Sequence, residues 1–357
     1  MTPVPVVDAK GTHRAIGLAI GRAVPDRIAG MARNYQLLFE HSPQLKLTWP
    51  QAALQARQYL PFIESAVPQY LAELQGLAEG SGVPFDDLLI CNCFEELTGD
   101  LLFEKCTSVA FAPEHTQDQH TLLGHTEDWL PIDRAWQYVV RVRPDDEAPF
   151  IAAVYGGLLA NVGLNGAGVA QCINSMYPTD ARPGLPRVFV GRHVLTAPRL
   201  GVAIERALHP RRAAGYNHVL ADEHGELYNL ETTARQFDLL YGRPGYVAHA
   251  NNYLSDRLRD LEDQPEQLVG SHVRANRADH LARQLMPRGA VTRADVQRIL
   301  SDHVNHPYSI CSHAEDVPLL EQSVTISAYL LDVHTRTLWY CYGNPCQGEF
   351  APIPLEA

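Results

Sequence analysis

Cys106, Thr107 and Ser108 put a thiol and two hydroxyls in a row at the head of an apolar alternation. A thiol there has two readings. Unpaired cysteine is among the most buried residue types, so Cys106 can be core filler. Alternatively it is a nucleophile that forms a thioester, and becomes a chain N-terminus if the Lys105-Cys106 bond is cut. Other stretches downstream carry polar groups at element ends. Gly124-His125-Thr126-Glu127-Asp128-Trp129 ends a strand with a carboxylate beside an aromatic, and His249-Ala250-Asn251-Asn252-Tyr253 sets two adjacent amides after a short apolar strand. His306-Pro307-Tyr308-Ser309-Ile310-Cys311-Ser312-His313 follows a helix. On residue type alone, Asp128 also reads as a strand-end cap and Asn251 as a turn amide. Asn165 with Gly166 and Gly168 reads as turn chemistry, since positive φ favours Gly and Asn. Glu114, His115 and His120 read as solvated, and Ser312 and His313 as loop. The turn that holds Glu114, His115 and His120 has no metal motif.

The composition bounds what such a thiol can serve. The chain has 357 residues, 46% hydrophobic and 20% charged, the profile of a soluble globular protein with a large core. Its 29 basic against 41 acidic residues leave a formal charge of −12, which argues against nucleic acid or an anionic membrane as a general partner. The start, MTPVPVVDAK, has no basic region followed by an apolar core, so no signal peptide is expected there. The longest apolar run, Phe150–Ala160, is too short to span a bilayer. Seven cysteines without a regular framework fit thiols in a reducing cytosol. Cys91 and Cys93, two apart on a predicted helix, face different ways and make no pair.

The elements that must position these residues fall into two regimes. The first hundred residues read as helical. Ile16, Ala19, Ile20 and Ala23 recur at helical spacing, with Gly17 and Gly21 keeping one face thin for close packing. A second helix covers about 64–78 and stops at Gly80-Ser81-Gly82. A third begins at Pro84, with Asp86 and Asp87 in its first turn, and runs to about Leu97. From Cys106 the period becomes two. Strands are predicted over 109–111, 121–125, 138–142, 150–154, 169–173, 217–221 and 227–231, and a closing hairpin over 323–331 and 337–342. Helices interrupt them at 188–195, 200–208, 274–285 and 293–303. Helices first, then strands with helices between them, indicate an α+β layered architecture.

In order along the chain, GTHRAIGLAIG, LAELQGLAEGSG, the Cys-Thr-Ser strand, GHTEDW, NVGLNGAGVA, HANNYL and HPYSICSH resemble the acyl-coenzyme A:6-aminopenicillanic acid acyltransferase family, cysteine N-terminal nucleophile hydrolases. The resemblance implies a four-layer αββα sandwich and a precursor that cuts itself before the cysteine. Residues 1–105 would then be a helical leader and 106–357 the catalytic region, a self-cleaved heterodimer sharing one domain. The freed α-amino group of Cys106 would act as base for its own thiol, with no cofactor or metal. The family pattern carries an oxyanion donor onto Asn251, a carboxylate near the nucleophile onto Asp128, and site-lining hydroxyls onto Ser108 and Ser309. The implied substrate is a small N-acyl amide or an acyl donor such as acyl-CoA, and the implied location is cytoplasmic.

Two positions depart from the family pattern. Lys105 stands where Gly is common, and its Cβ narrows the strained backbone needed for self-cleavage. Ser312 stands where fungal penicillin acyltransferases carry a basic residue, which favours a general amide hydrolase or acyltransferase. Two other readings stay open: a papain-like enzyme pairing Cys106 with His125 or His249, and an unprocessed, non-catalytic binding module.

Overall fold

Thr12 starts the first helix, its Oγ1 accepting from the Ala15 N–H at 3.3 Å. That helix, α1 (His13–Ala23), leads into α2 (Pro25–His41), α3 (Trp49–Ala56), α4 (Leu60–Ala66), α5 (Pro68–Ser81), α6 (Phe85–Asn92) and α7 (Phe94–Thr98). The computed structural model describes residues 4–42, 45–99, 105–314 and 319–356; Glu104 and the four residues before it lie outside the described residues. Helix α5 stops where expected, at Gly82, whose φ of +73° is the left-handed conformation glycine adopts freely. Later helices are α8 (Arg187–Leu195), α9 (Leu200–Ala207), α10 (Val269–Leu285) and α11 (Arg293–Leu300).

The strands form two sheets. In chain order they are β1 (Val6–Gly11), β2 (Lys105–Phe111), β3 (Leu122–Trp129), β4 (Gln137–Pro144), β5 (Phe150–Tyr155), β6 (Val162–Asn165) and β7 (Val169–Met176), followed by β8 (Gly215–Asp222), β9 (Leu227–Thr232), β10 (Phe237–Tyr241), β11 (Tyr246–His249), β12 (Val324–Asp332), β13 (Thr337–Tyr342) and β14 (Ala351–Pro354). The larger sheet runs β1-β4-β5-β6-β7-β8-β9-β10 and the smaller β11-β2-β3-β12-β13-β14.

Three apolar cores separate four layers. Val140, Val142, Phe150 and Ala152 face helices α1 to α9 from one side of the larger sheet. Val139, Ile151, Ala170 and Val219 on its other side meet Ala110, Leu123, Tyr329 and Leu331 of the smaller sheet. Val109, Phe111, Ala328 and Leu330 turn outward onto α10 and α11. The chain is thus an αββα sandwich. Among the described residues, no helix is long and apolar enough to cross a membrane.

The N-terminal leader is not purely helical. Val6–Gly11 forms an edge strand pairing parallel with β4, Val6 opposite Val139. Six residues with alternating exposure carry little periodic signal, and the partner lies far along the chain. Asn165 does turn chemistry, accepting from the Ala167 and Val169 N–H groups at 3.0 and 3.1 Å. It also donates to Leu195 and Ala197 carbonyls, anchoring the end of α8.

Helices α1 and α5 meet backbone to backbone. A Cβ at Gly17 would lie 1.9 Å from the Glu73 carbonyl oxygen, and one at Gly76 2.1 Å from that of Arg14. Where backbones touch, no side chain can move aside. Gly17→Ala is therefore expected to destabilise by about 3 kcal/mol or more in a denaturant titration. Gly201→Ala, in α9 with nothing within 4 Å of the added methyl, is expected to be neutral or stabilising by up to about 1 kcal/mol.

Candidate active site

The N–H and C=O of one strand residue point to the same side, so each residue of β2 looks either to β3 or to β11. Strand β11 pairs with β2 only from Phe111 to Ser108, where it ends at His249. Beyond that point side chains take the place of the missing strand. The Cys106 N–H donates to Asn251 Oδ1 at 2.8 Å. The Cys106 carbonyl accepts from Arg274 Nη1. Arg274 also donates to Thr107 Oγ1 at 2.9 Å and to Asn251 Oδ1 at 3.0 Å. Asn251 is fixed in turn, its N–H donating to Ser271 Oγ at 2.6 Å and its Nδ2 to the Ser175 carbonyl at 3.2 Å.

Strand alternation sends the Cys106 side chain the other way from Thr107, into the space between the sheets. It lines a cavity of about 670 Å³, counted to its mouth, together with Glu127, Ser175, Tyr216, Tyr329 and Tyr155. The leader supplies part of the wall through Tyr35, Cys91, Phe94 and Glu95.

The polar groups on the thiol's face come from β3. Glu127 sits directly opposite Cys106 in the β2–β3 register, and His125 opposite Ser108. Ser108 Oγ and His125 Nδ1 are hydrogen-bonded at 2.8 Å, and His125 Nε2 lies 3.3 Å from Glu127 Oε2. Tyr329 stacks on the His125 ring at 5.7 Å. The Cys106 sulfur, a His125 nitrogen and a Glu127 oxygen lie within 4.8 Å of one another. At the far wall the Tyr216 hydroxyl donates to Glu95 Oε2, and outside the cavity lining the next residue, Glu96, pairs with Arg187 at 3.2 Å. Burial holds the Glu96 carboxyl above the usual range against that arginine.

Asp128 occupies the opposite face. It lies on the helix side with Thr107 and Arg274, its Oδ1 accepting from Thr325 Oγ1 at 2.6 Å. Burial pulls the Arg274 guanidinium below its ordinary value, and the negative charge of Asp128 is the largest influence opposing that. Asp128 thus acts on the thiol's neighbours, while the carboxylate beside the thiol is Glu127.

Of the residues expected at the site, the structure brings Cys106, Asn251 and Ser108 together and places Asp128, expected beside the nucleophile, behind them. Ser309 is also behind: it donates to the Cys311 carbonyl at 2.7 Å and lines a second cavity with Asn251, Arg274 and Ser271. Lys105 begins β2, its backbone opposite Asp128. His249 has both ring nitrogens engaged, by Glu231 at 2.7 Å and the Ala250 carbonyl at 2.6 Å. Glu127 and Arg274 escaped the sequence reading. Parity with Cys106 marks Glu127 once the hairpin register is known, but the long β2–β3 connection hides that register. Arg274 gives no signal, being one arginine on a helix rich in them.

Asn251 presents its oxygen, rather than its NH2, to the Cys106 nitrogen. Asn251→Ala is expected to lower kcat by about a hundredfold with a smaller effect on KM. Asn251→Asp keeps the acceptor and is expected to lose clearly less. Equal losses would transfer the role to the NH2, the expected oxyanion donor.

A family model described as acyl-coenzyme A:6-aminopenicillanic acid acyl-transferase matches residues 115–347, beginning just downstream of Cys106. The chain is 25% identical to a beta-alanyl-dopamine/carcinine hydrolase of Drosophila melanogaster, over 97% of this chain and 94% of that protein. It is 23% identical to the 40 kDa form of an acyl-coenzyme A:6-aminopenicillanic-acid-acyltransferase from Emericella nidulans, covering 85% of this chain and 84% of the relative. Among solved structures, a mutant form of conjugated bile acid hydrolase from Clostridium perfringens aligns with a TM-score of 0.48 at 12% identity, over 70% of this chain and 96% of that one.

Proposed function

The chain belongs to the acyl-coenzyme A:6-aminopenicillanic acid acyl-transferase family, and from that premise we propose that it is a self-processing cysteine amidohydrolase or acyltransferase with Cys106 as nucleophile. It is an enzyme of amide bonds, a hydrolase or N-acyltransferase. One observation carries the finer reading. The Cys106 nitrogen, which cleavage would turn into an α-amine, is held by a side-chain oxygen at 2.8 Å instead of by a strand. Cutting the chain there leaves the pairing of β2 with β11 intact.

In the precursor, the Cys106 sulfur attacks the Lys105 carbonyl carbon. The C–N bond breaks, the nitrogen leaves as the α-amine, and Lys105 is held as a thioester. Water hydrolyses the thioester, giving a Lys105 carboxylate and the thiol. In the mature enzyme the α-amine, with an ordinary pKa of about 7.7–8.0, takes the thiol proton as sulfur attacks a substrate amide. It returns that proton to the leaving amine. An S-acyl enzyme remains, which water or an acceptor amine resolves. Asn251 and Arg274 keep the nitrogen and carbonyl of Cys106 in place throughout.

The cavity's aromatic walls and the carboxylates Glu127 and Glu95 suit a small amide with an aromatic or protonated amine portion, such as the β-alanyl-dopamine or carcinine named for the Drosophila relative. The leader contributes four of the wall residues named above, so both pieces are expected to stay together after cleavage. The cytoplasm is the proposed location.

A second reading rests on His125, whose ring nitrogen lies within 4.8 Å of the Cys106 sulfur. There His125 is the base, Glu127 orients it, and no cleavage is needed.

Intact-mass measurement over time, with turnover of a panel of N-acyl amides, separates the two. The native chain is expected to split into 1–105 and 106–357, and Cys106→Ala to stay whole and inactive. Lys105→Gly is expected to split sooner, because removing a Cβ at the attacked carbonyl widens the backbone conformations open to it. An unsplit chain that turns over substrate, and that His125→Ala silences, would replace the first reading by the second.

A further inference from the structure

Away from the cavity, four side chains from two separate connections point their ligating atoms at one spot. His303, Cys311 and His313 lie between α11 and β12, and Cys346 lies between β13 and β14. His303 Nε2 and His313 Nε2 are 3.0 Å apart, and Cys311 Sγ and Cys346 Sγ are 3.6 Å apart. His313 Nε2 lies 3.6 Å from Cys311 Sγ and 3.4 Å from Cys346 Sγ. All four atoms fall within 4.8 Å of one another. A tetrahedron with zinc–sulfur bonds of about 2.3 Å and zinc–nitrogen bonds of about 2.0–2.1 Å has edges of roughly 3.3–3.8 Å. The cluster already has that size.

We propose that His303, Cys311, His313 and Cys346 form a structural zinc site. Two thiolates and two imidazoles are the ligand set that selects zinc over the hard cations magnesium and calcium. The surroundings fit a ligated sulfur. Asn344 Nδ2 lies 3.6 Å from Cys311 Sγ and donates to the Ser312 carbonyl at 2.6 Å, while its own oxygen accepts from Arg134 Nη2 at 3.1 Å. Such outer partners fix and tune metal ligands. His303 and Cys346 are exposed, which gives an ion a way in.

The ion would pin the loop after α11 to the turn after β13. That loop also reaches the support of the nucleophile, because Ser312 N–H donates to Thr325 Oγ1 at 2.9 Å and Thr325 donates to Asp128. The spacing hides the site from sequence. Three ligands fall within eleven residues, but the fourth is a hairpin away, and no paired-cysteine or paired-histidine spacing results.

Reduced full-length protein, dialysed with zinc and then against metal-free buffer, is expected to retain about one zinc per chain by elemental mass spectrometry. Cobalt in its place is expected to give the visible bands of tetrahedral coordination and a thiolate charge-transfer band. Cys346→Ser and His303→Ala, both at exposed positions, are each expected to weaken zinc binding by at least about tenfold. Cys106→Ala is expected to keep the metal, which separates this site from the catalytic one. A chelator is expected to lower the melting temperature of the native chain and not that of His303→Ala. Reduced native protein that takes up no zinc would overturn the assignment. So would retention of zinc by the Cys346→Ser, His303→Ala double variant, or a Cys311-Cys346 disulfide that forms equally with zinc present.

Discussion

The backbone of Cys106 is held by side chains where a strand would otherwise hold it, and the rest of the site follows from that substitution. A buried N–H or C=O without a partner costs about 1–3 kcal/mol, so the end of β11 at His249 creates a need. Asn251 and Arg274 meet it, one for the nitrogen and one for the carbonyl. Neither could do so alone in a fixed position. Arg274 also reaches Asn251 and Thr107, and Ser271 links Asn251 and Asn252. The result is a rigid frame around one residue whose side chain is left to face the cavity.

Strand parity then divides the surrounding chemistry between the two faces of the smaller sheet. Cys106, Ser108, His125 and Glu127 look inward, toward the larger sheet. Thr107, Thr126, Asp128 and Thr325 look outward, toward α10. The inward set carries the thiol and Glu127 that line the cavity, and the outward set packs behind it. This division explains why two adjacent acids, Glu127 and Asp128, have different surroundings.

Buried ion pairs tie the leader to the sandwich. Arg192 of α8, fully buried, pairs with Glu73 of α5 at 2.9 Å, and His13 of α1 approaches the same carboxylate at 3.0 Å. Burial alone would raise the Glu73 carboxyl, yet Arg192 and His13 together hold it below the usual range. Breaking such a pair leaves an uncompensated buried charge, at a cost of about 3–5 kcal/mol. Asn92 adds a neutral link, donating to the Gly157 carbonyl at 2.9 Å and accepting from the Leu159 N–H at 2.9 Å. These contacts keep Tyr35, Phe94 and Glu95 in the cavity wall, so the leader is part of the site.

Local pattern was enough to determine the α+β class, the helix carrying Ile16, Ala19, Ile20 and Ala23, the helix at 188–195, the hairpin after Cys106, the thin glycine face of α1 and the turn role of Asn165. Each of these rests on periods of 3.6 or two, or on a φ that favours glycine and asparagine, and such signals act over a few residues. The ordered motifs also single out Cys106 and Asn251, which the structure joins by a hydrogen bond. Tertiary structure alone decided the rest. Which acid shares a face with the thiol depends on hairpin register, and a one-residue shift exchanges Glu127 for Asp128. Arg274 reaches Cys106 from 168 residues away, and β1 finds its partner more than a hundred residues on. No local period encodes a pairing at that distance. For Arg274 it is set by the end of β11 at His249, which leaves a backbone carbonyl that a distant side chain satisfies.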